Sequence, residues 1–348
     1  MFIVCVLLFF IVVCYVLATF TNFPILSDMR KVWIETAMTT ADHQWLATKF
    51  FPKFVIDESI NNRYEDNGIV GITDLRTEKT TNLLNKDNEI EYDLETVKEG
   101  KIVFTDNDEF GNKVVVNDKE QGIKIVEVSS TTYTGKLVFI DDPSRVIVGE
   151  TKTKGGYGCL ILDYLEDYDA IVGINANGFS DPNGQGKGGE IIGCSVSNGK
   201  VWTNGAPFNA YTTIGFDEND RLVVGKLESA EKYNLRDAGQ YKPALIIDGE
   251  ILFEGTAGWG MQPRTIVAQR EDGVVMFLVV DGRKPGYSIG ITMEEAAKLL
   301  KKYGAVTAAA CDGGSSSVLA YDGEIINKPS TPMVTGRYLP NAFLVKRK

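Results

Sequence analysis

The sequence predicts an α+β fold, a mixed and largely antiparallel sheet domain with few helices, preceded by an N-terminal transmembrane helix. An almost unbroken apolar run occupies Met1–Ala18. After Gly122, short β-rich stretches alternate with turn pairs such as Asn198-Gly199. Only two later segments have helical character, Leu160–Tyr168 and Met293–Tyr303. Many strands with two helices are typical of an α+β domain built on a mostly antiparallel sheet.

Residues 1–22 are interpreted as an uncleaved membrane anchor. No charged side chain appears before Asp28, and roughly 18–20 apolar residues at about 1.5 Å each span a bilayer core. A cleaved signal peptide is the alternative, but no basic residue precedes the run, which is long for such a peptide. Arg30 and Lys31 follow the span, so charge alone favours a cytoplasmic C-terminal part. The substrate class inferred below instead favours a single-pass protein of the cell membrane with an extracellular catalytic domain, which we expect.

Three further segments follow the anchor. Residues 23–62 are expected to form a juxtamembrane helical segment, and His43 within it is interpreted as a polar residue on a docking helix. Residues 63–121 are acidic and rich in asparagine, and they are expected to form a linker or a small irregular β element. Residues 122–348 carry the strand signals and are expected to form the catalytic domain.

Turn and cap signals delimit the elements of this domain. The later helix is expected to start with a capping box formed by Thr292 and Glu295 and to stop at Gly304. Hairpin turns are expected where acidic residues or asparagine precede glycine. These turns are Asn198-Gly199, Asp248-Gly249, Glu271-Asp272-Gly273 and Asp322-Gly323.

Composition excludes several classes of function. A net charge of −11 without a basic cluster argues against a nucleic-acid partner. The five cysteines lack CxxC spacing, so neither a disulfide framework nor a zinc site is indicated. The single histidine precedes the main domain, which argues against Ser-His-Asp and Cys-His catalysis there. An enzyme of this composition would use carboxylates, arginines and backbone amides, and we expect no cofactor and no metal.

An arginine and two aspartates converge in the last third of the chain. Arg264–Arg270 and Val274–Val280 are joined by Glu-Asp-Gly, so a hairpin places Arg264 beside Asp281. The chain returns through a helix to a buried strand that ends before Asp312. Such a crossover makes the two strands parallel within one sheet, and ligands often bind past their carboxyl ends. The carboxylates start about 5 Å apart if the strands are neighbours, and about 10 Å apart with one strand between them.

Asp312 is the carboxylate with the strongest functional signal. Asp-Gly pairs are commonly plain turn residues, as we expect for Asp248 and Asp322. Here a buried strand runs directly into two glycines and three serines, Gly313 to Ser317. Glycine lets a ligand approach the backbone closely, and successive amides with serine hydroxyls form an anion-binding concavity. The element therefore predicts an anion site.

A second glycine-rich stretch runs from Asn175 to Glu190. Its glycines approach a dinucleotide-binding fingerprint, but strands rather than a helix follow, which excludes that function. It also imitates the start of a calcium loop, but Ile192 occupies the position that needs a bidentate glutamate. The stretch is interpreted as a long loop that rims a sugar pocket.

Seven motifs occur in order along residues 122–345 and together resemble the phosphodiester glycosidase family. They are Ile174–Phe179 (INANGF), Glu190–Gly193 (EIIG), Pro263–Thr265 (PRT), Asp281–Arg283 (DGR), Cys311–Ser317 (CDGGSSS), Asn327–Ser330 (NKPS) and the late Arg337. The N-terminal part is similar to a membrane-anchored bacterial branch associated with cell-envelope or exopolysaccharide genes. The chain departs from the family at Ala310-Cys311, where Asn-Leu is usual, and Arg283 is not general in the family.

The resemblance implies a hydrolase that cleaves the glycosidic bond of a sugar-1-phosphodiester, of an N-acetylglucosamine or envelope-polysaccharide type. The phosphomonoester is a good leaving group, so a strong general acid is less necessary than in ordinary glycosidases. The products would be a free sugar and the phosphomonoester. The expected roles are phosphate binding by Arg264, Ser315, Ser316, Gly313 and Gly314, with Arg283 and Arg337 as further candidates, Asp312 as nucleophile or charge stabiliser, Asp281 or Glu190 as base, and Asn175 as a sugar contact.

Three alternatives stay open at this point. The domain could cut the other side of the phosphorus as a phosphodiesterase, for which metal dependence would be expected. It could be a non-catalytic module that binds phosphorylated envelope polymers, which the Ala310-Cys311 departure favours. The Asp and Ser cluster could also be purely structural. The sequence does not assign the oligomeric state.

Overall fold

The computed structural model describes residues 2–40, 43–61, 63–65, 68–75 and 102–348. Most of the acidic stretch expected as a linker, residues 76–101, lies outside these residues. The described helices are α1 (Phe2–Phe20), α2 (Pro24–Met38), α3 (Trp45–Thr48), α4 (Lys53–Ile60), α5 (Ile161–Tyr168) and α6 (Met293–Lys302).

The described strands form three sheets, and every pairing between named strands is antiparallel. An eight-stranded sheet has the order β13 (Glu250–Ile251), β12 (Ala244–Ile247), β16 (Ala305–Ala310), β14 (Arg264–Arg270), β15 (Val275–Val280), β4 (Thr134–Ile140), β3 (Ile123–Ser129), β2 (Val114–Asp118). A five-stranded sheet has the order β18 (Glu324–Ile325), β17 (Leu319–Tyr321), β6 (Ala170–Asn175), β19 (Asn341–Lys346), β5 (Val146–Glu150). A six-stranded sheet has the order β1 (Val70–Ile72), β10 (Leu222–Gly225), β9 (Thr212–Asp217), β11 (Leu235–Tyr241), β7 (Cys194–Ser197), β8 (Lys200–Thr203).

The eight-stranded sheet is buried on both faces, which explains its continuous apolar runs. Side chains alternate across a strand, so Met276 and Leu278 of β15 face one core while Phe277 and Val279 face the other. The first core is covered by the apolar stripe of α6. The second contains side chains of the other two sheets, among them Phe343 of β19. The central strands therefore have no solvent-facing side and need no polar alternation.

The predicted geometry around the later helix is confirmed. Thr292 and Glu295 form the capping box, with the Thr292 hydroxyl accepting from the Glu295 amide at 3.2 Å. The β14–β15 hairpin pairs Arg264 with Val280, next to Asp281. Strands β15 and β16 both lie antiparallel to β14, so they are parallel to each other with one strand between them. This is the wider of the two expected spacings, about 10 Å.

The expected start of the catalytic domain at residue 122 falls inside a hairpin. Strand β2 precedes that residue and pairs with β3 along the edge of the eight-stranded sheet. Strand β1 also lies in the segment expected as a linker, and it pairs with β10. The described ends of the acidic segment are thus parts of the domain's sheets, because their short apolar stretches complete sheet edges.

The N-terminal helices form a separate layer against the domain. Within α1, Ile3–Phe20 is long and apolar enough to cross a membrane, a property that signal sequences share, and only 6% of it is buried. Helices α2 to α4 pack on one another through a small core that includes Ile34, Ala47 and Val55. Much of the segment expected to be helical, residues 23–62, thus lies in α2, α3 and α4.

Candidate active site

A cavity of about 600 Å³ opens where the carboxyl end of β16 meets the glycine-rich loop that follows β6. Eight of the eleven site residues expected from the sequence line it. These are Arg264, Arg283, Asp312, Gly313, Gly314, Ser315, Ser316 and Arg337. The sheet order produces this meeting, because the chain after β16 crosses to the five-stranded sheet at Leu319, beside Ile174 of β6.

Asp312 stands on the cavity wall directly after β16. Its amide donates to the carbonyl of Ala176 at 2.9 Å, which fixes the turn against the loop that follows β6. Burial raises the pKa of the Asp312 carboxyl, while hydrogen bonds from Ser316 and Tyr241 and the charge of Arg337 act in the opposite direction. A carboxylate in these surroundings is poorly solvated, so it interacts strongly with any positive charge that develops beside it.

Arg264 is a buried cation with no carboxylate in a salt bridge to it among the described residues. Its Nη2 donates to the carbonyls of Trp259 and Gly260 at 2.7 and 3.1 Å. Its Nε has no hydrogen-bond partner in the described part of the chain. Burial lowers the pKa of Arg264 to about 9, which leaves the side chain protonated at neutral pH. A buried cation with a vacant donor favours the binding of an anion.

Two further arginines surround the same space. The Arg283 Nε and Nη2 donate to the Gln262 Oε1 at 3.0 and 2.8 Å. Arg337 forms a bidentate ion pair with Asp181, at 2.5 and 2.9 Å. Its guanidinium lies 4.7 Å from the centre of the Phe179 ring. Asp181 consequently has a lowered pKa and stays ionised.

The backbone amides after Asp312 mainly donate to carbonyls of the protein itself. This differs from the expectation that they form an anion-binding concavity. The Gly314 amide donates to the Pro263 carbonyl at 2.9 Å, and the Ser316 amide donates to the Gly313 carbonyl at 3.3 Å. The glycines instead allow close packing: a Cβ on Gly314, whose φ is +64°, would lie 2.9 Å from the Arg283 Nη2. Most of the expected residues thus lie at one cavity, and its charged donors are mainly guanidinium groups.

Three expected site residues do not line the cavity. Asn175 is fully buried and makes structural hydrogen bonds. Asp281 is 3% exposed, and its oxygens accept from Asn327, Lys328 and Tyr287. Glu190 is exposed, and its carbonyl accepts from the Ser180 amide beside the cavity loop. None of these three residues is therefore part of the cavity lining.

Several lining residues were not expected from the sequence. Tyr241, at the end of β11, hydrogen-bonds Asp312, and the Asp312 charge together with burial raises the pKa of its phenol. A Cβ on Gly178 would lie 2.9 Å from the Tyr241 ring and 3.8 Å from the Asp312 carboxyl carbon. Thr39 and His43 reach the cavity from the N-terminal layer. Tyr241 and Thr39 carried no sequence signal, whereas Gly178 and Phe179 belong to the INANGF motif, Ile192 to EIIG and Ser330 to NKPS.

The charged side chains that line the cavity are mainly positive, whereas the whole chain is negatively charged. Its described lining contains four cationic side chains, Arg264, Arg283, Lys284 and Arg337, and two carboxylates, Asp181 and Asp312. The whole chain carries a net charge of −11. A locally positive cavity in an acidic protein concentrates small anions at one place.

Comparisons with known proteins identify the family of the domain that holds the cavity. A family model described as phosphodiester glycosidase matches residues 168–346, which include β6, the cavity loop and β14 to β19. The SPbeta prophage-derived uncharacterized protein YomE of Bacillus subtilis (strain 168) is 26% identical over 200 residues, 54% of this chain. The match covers 29% of that relative, so the chain spans less than a third of its length.

One solved structure shares the fold. The catalytic domain of zebrafish N-acetylglucosamine-1-phosphodiester alpha-N-acetylglucosaminidase, auto-inhibited by its pro-peptide, superposes with a TM-score of 0.54 at 19% identity. The alignment covers 65% of this chain and 82% of that one. A hypothetical protein from Synechocystis gives a TM-score of 0.49 at 16% identity, over 68% of this chain and 64% of that one.

Replacing Asn175 with alanine is expected to destabilise the protein. The change removes a donor to the Asp312 carbonyl and the acceptor of the Thr265 hydroxyl and the Val318 amide. Each buried group left unpaired costs about 1–3 kcal/mol, so a loss of roughly 3 kcal/mol or more is expected. Urea denaturation of the detergent-solubilised chain measures it. Asn117→Ala, on the exposed edge strand β2, is the matched control; equal effects of the two changes would contradict the prediction.

Asp281→Asn distinguishes a structural carboxylate from a base. An amide cannot accept all the hydrogen bonds that Asp281 receives, so the midpoint of urea denaturation is expected to fall. Because Asp281 does not line the cavity, kcat per folded molecule is expected to fall by much less than the roughly 10²–10⁴-fold that loss of a general base costs. Native stability combined with a kcat loss of that size would instead identify Asp281 as the base.

Proposed function

The chain belongs to the phosphodiester glycosidase family, and from this premise we propose that it hydrolyses the glycosidic bond of a sugar-1-phosphodiester. The products are a free sugar and a phosphomonoester. One observation carries the proposal: a desolvated carboxylate, Asp312, lines the same cavity as a buried arginine, Arg264, that forms no salt bridge within the described part of the chain. The Asp312 carboxylate would stabilise positive charge that develops at C1 of the sugar, and the Arg264 guanidinium would bind the phosphate attached to C1.

The phosphate is held by charge. The carbonyls of Trp259 and Gly260 orient Arg264, so its guanidinium is held at the cavity wall and binds phosphate oxygens without losing further conformational freedom. Arg283 lies on the other side of Gly314 and reinforces the positive potential. Guanidinium groups bind phosphate oxygens in a bidentate manner, which fixes the ester in one orientation. The bridging oxygen then leaves with the phosphate.

Asp312 meets the sugar at C1. As the C1–O bond breaks, the electron pair leaves on the phosphate oxygen and positive charge develops on the sugar ring. The Asp312 carboxylate stabilises this charge, as nucleophile or as ion pair, and water then supplies the new C1–O bond. Asp181, the other carboxylate in the described lining, is held by Arg337. The proposed chemistry does not involve Asp281 or Glu190, because neither lines the cavity.

The substrate class follows from the relatives. The zebrafish protein is named for N-acetylglucosamine-1-phosphodiester, and we extend that sugar to this chain. An envelope polysaccharide that carries such a phosphodiester, presented outside the cell, fits a catalytic domain anchored by α1. This single-pass orientation belongs to the proposal.

Two substitutions test the reaction. The full chain in detergent is incubated with UDP-N-acetylglucosamine and with simple N-acetylglucosamine-1-phosphodiesters under EDTA, and free sugar is separated from sugar phosphate. Wild type is expected to release free sugar. Asp312→Asn is expected to abolish this release. Arg264→Gln is expected to lower kcat by roughly 10²–10³-fold, the usual cost of losing one transition-state charge contact.

Two control substitutions make the same chemical changes outside the cavity. Asp322→Asn changes the aspartate of the β17–β18 Asp-Gly turn, and Arg270→Gln changes the far end of β14, where the arginine pairs with Asp272 at the surface. Both are expected to keep wild-type turnover. Release of sugar phosphate would identify a phosphodiesterase acting on the other side of the phosphorus. Binding without any turnover would identify a polymer-binding module, and either result would overturn the proposal.

The pH profile tests the state of Asp312. Because burial raises its pKa, the acidic limb of kcat/KM is expected above the ordinary aspartate value of about 3.9. Activity requires the ionised form, so it falls as the pH drops through the folded-state pKa. Tyr241→Phe removes a donor to the carboxylate and is expected to move this limb to higher pH. If the acidic limb of the Tyr241→Phe variant stays in place or moves to lower pH, its assignment to Asp312 is contradicted.

A further inference from the structure

The end of the apolar helix α1 is fixed to the helices that follow it. The Arg30 Nη1 donates to three backbone carbonyls at the last turn, at 3.0–3.1 Å. These carbonyls belong to Ala18, Thr19 and Thr21. The Tyr15 hydroxyl donates to the Phe50 carbonyl at 2.8 Å, and the rings of Phe20 and Phe54 stack at 6.2 Å. The helix end is therefore joined to α2–α4 by contacts, not by a loose tether.

The helices α2–α4 present an exposed aromatic surface next to α1. We define it as the aromatic collar, formed by Phe23, Trp33, Trp45, Phe50 and Phe54, each 48–66% exposed. The opposite faces of the same helices are buried in their own small core. Five large exposed aromatic side chains around the end of an apolar helix are unusual for a protein surface in water. Such a belt is typical of the layer where lipid headgroups meet hydrocarbon.

The same helices dock on the loop that builds the cavity. The Met261 amide donates to the Thr36 hydroxyl at 2.9 Å. The Gln262 Nε2 donates to the Thr36 carbonyl and to the Thr39 hydroxyl at 2.8 and 2.9 Å. Gly260 permits this approach, because a Cβ there would lie 2.4 Å from the Thr36 amide nitrogen, at a φ of +57°. Thr39 and His43 then form part of the cavity wall.

The wall is therefore close to the end of α1. Arg30, which contacts that end, and Thr39 are nine residues apart along α2 and its C-cap. Nine helical residues correspond to about 14 Å. The opposite side of the docking loop holds Arg283 through Gln262 and Arg264 through Gly260. One loop thus binds the N-terminal helices and positions the phosphate-binding arginines.

From these contacts we infer that the aromatic collar sits in the headgroup layer and presents the cavity to a substrate whose aglycone is itself embedded in that membrane, a lipid-linked sugar-1-phosphodiester. The inference rests on the proposed function for the reaction and adds the form in which the substrate arrives. Confinement of enzyme and substrate to one membrane raises their effective concentration. It also keeps the phosphate at the depth of the headgroups, beside the arginines.

Two substrates that differ only in the aglycone test the inference. The full chain in liposomes is given N-acetylglucosamine-1-phosphate esterified to a long-chain alcohol within the bilayer, or to methanol in solution. At equal bulk concentration, kcat/KM is expected to be on the order of 10²-fold higher for the membrane-resident substrate. Equal values for the two substrates in wild type would overturn the inference while leaving the proposed function intact. No turnover of either would overturn the proposed function and the inference that depends on it.

Charged substitutions in the collar separate the surface from the chemistry. Phe23→Glu and Phe50→Glu are expected to reduce turnover of the membrane-resident substrate at least several-fold, with turnover of the methyl ester unchanged. Val201→Glu is the matched control, since Val201 is an apolar residue of β8 with 43% exposure outside the collar. A loss shared by all three variants would overturn the inference.

Fluorescence tests the position of the collar without any turnover. In liposomes that contain brominated lipids, emission of the wild-type chain is expected to be quenched. Trp33→Phe and Trp45→Phe are expected to remove most of the quenching, whereas Trp202→Phe and Trp259→Phe retain it. Quenching that persists after loss of both collar tryptophans, or that is absent in wild type, would overturn the inference.

Discussion

The buried Asn175 side chain is the interaction on which the site depends. Its Oδ1 accepts from the Thr265 hydroxyl and the Val318 amide, and its Nδ2 donates to the Asp312 carbonyl. These partners belong to β14, to the segment before β17 and to the turn after β16. One amide therefore joins the five-stranded and eight-stranded sheets at the point where Asp312 follows β16. A polar group at such a depth must be fully paired, so the geometry around it is strongly determined.

The electrostatics follow from this arrangement. The turn fixed by Asn175 places Asp312 opposite Arg264, and both are poorly solvated. Burying an arginine without a carboxylate partner costs stability, and the carbonyls of Trp259 and Gly260 offset part of that cost. The remaining donors stay available to a phosphate. In the proposed function, the bound phosphate offsets the rest of that cost.

The N-terminal helices extend the same arrangement toward the membrane. The loop that orients Arg264 and Arg283 also receives Thr36 and Thr39 from α2. Gly260 allows the loop to contact the arginines and α2 at the same time, because any larger residue there would collide with the backbone of α2. A change in the position of α2 would therefore alter both the cavity wall and the supports of its arginines.

The sequence by itself determined the local elements and the main site motifs. Periodicity gave the strands, capping chemistry gave α6, and the run of small residues before Asp312 with the glycines after it gave the position of the candidate catalytic carboxylate. These features depend on neighbours in the chain, so their signals are local. The Glu271-Asp272-Gly273 hairpin was sufficient to place Arg264 beside Asp281, and the crossover through α6 was sufficient to expect Asp312 at the same edge of the sheet.

Only the tertiary structure decided which polar residues face the cavity and which support it. Asp281 and Asn175 also lie in motifs that the sequence singled out, yet both are enclosed by partners distant in the chain, Asn327 and Thr265 among them. Tyr241, Thr39 and His43 enter the cavity from elements that carry no local signal. Which way a side chain faces at the junction of three sheets depends on contacts between distant segments, and no local pattern of residues records those contacts.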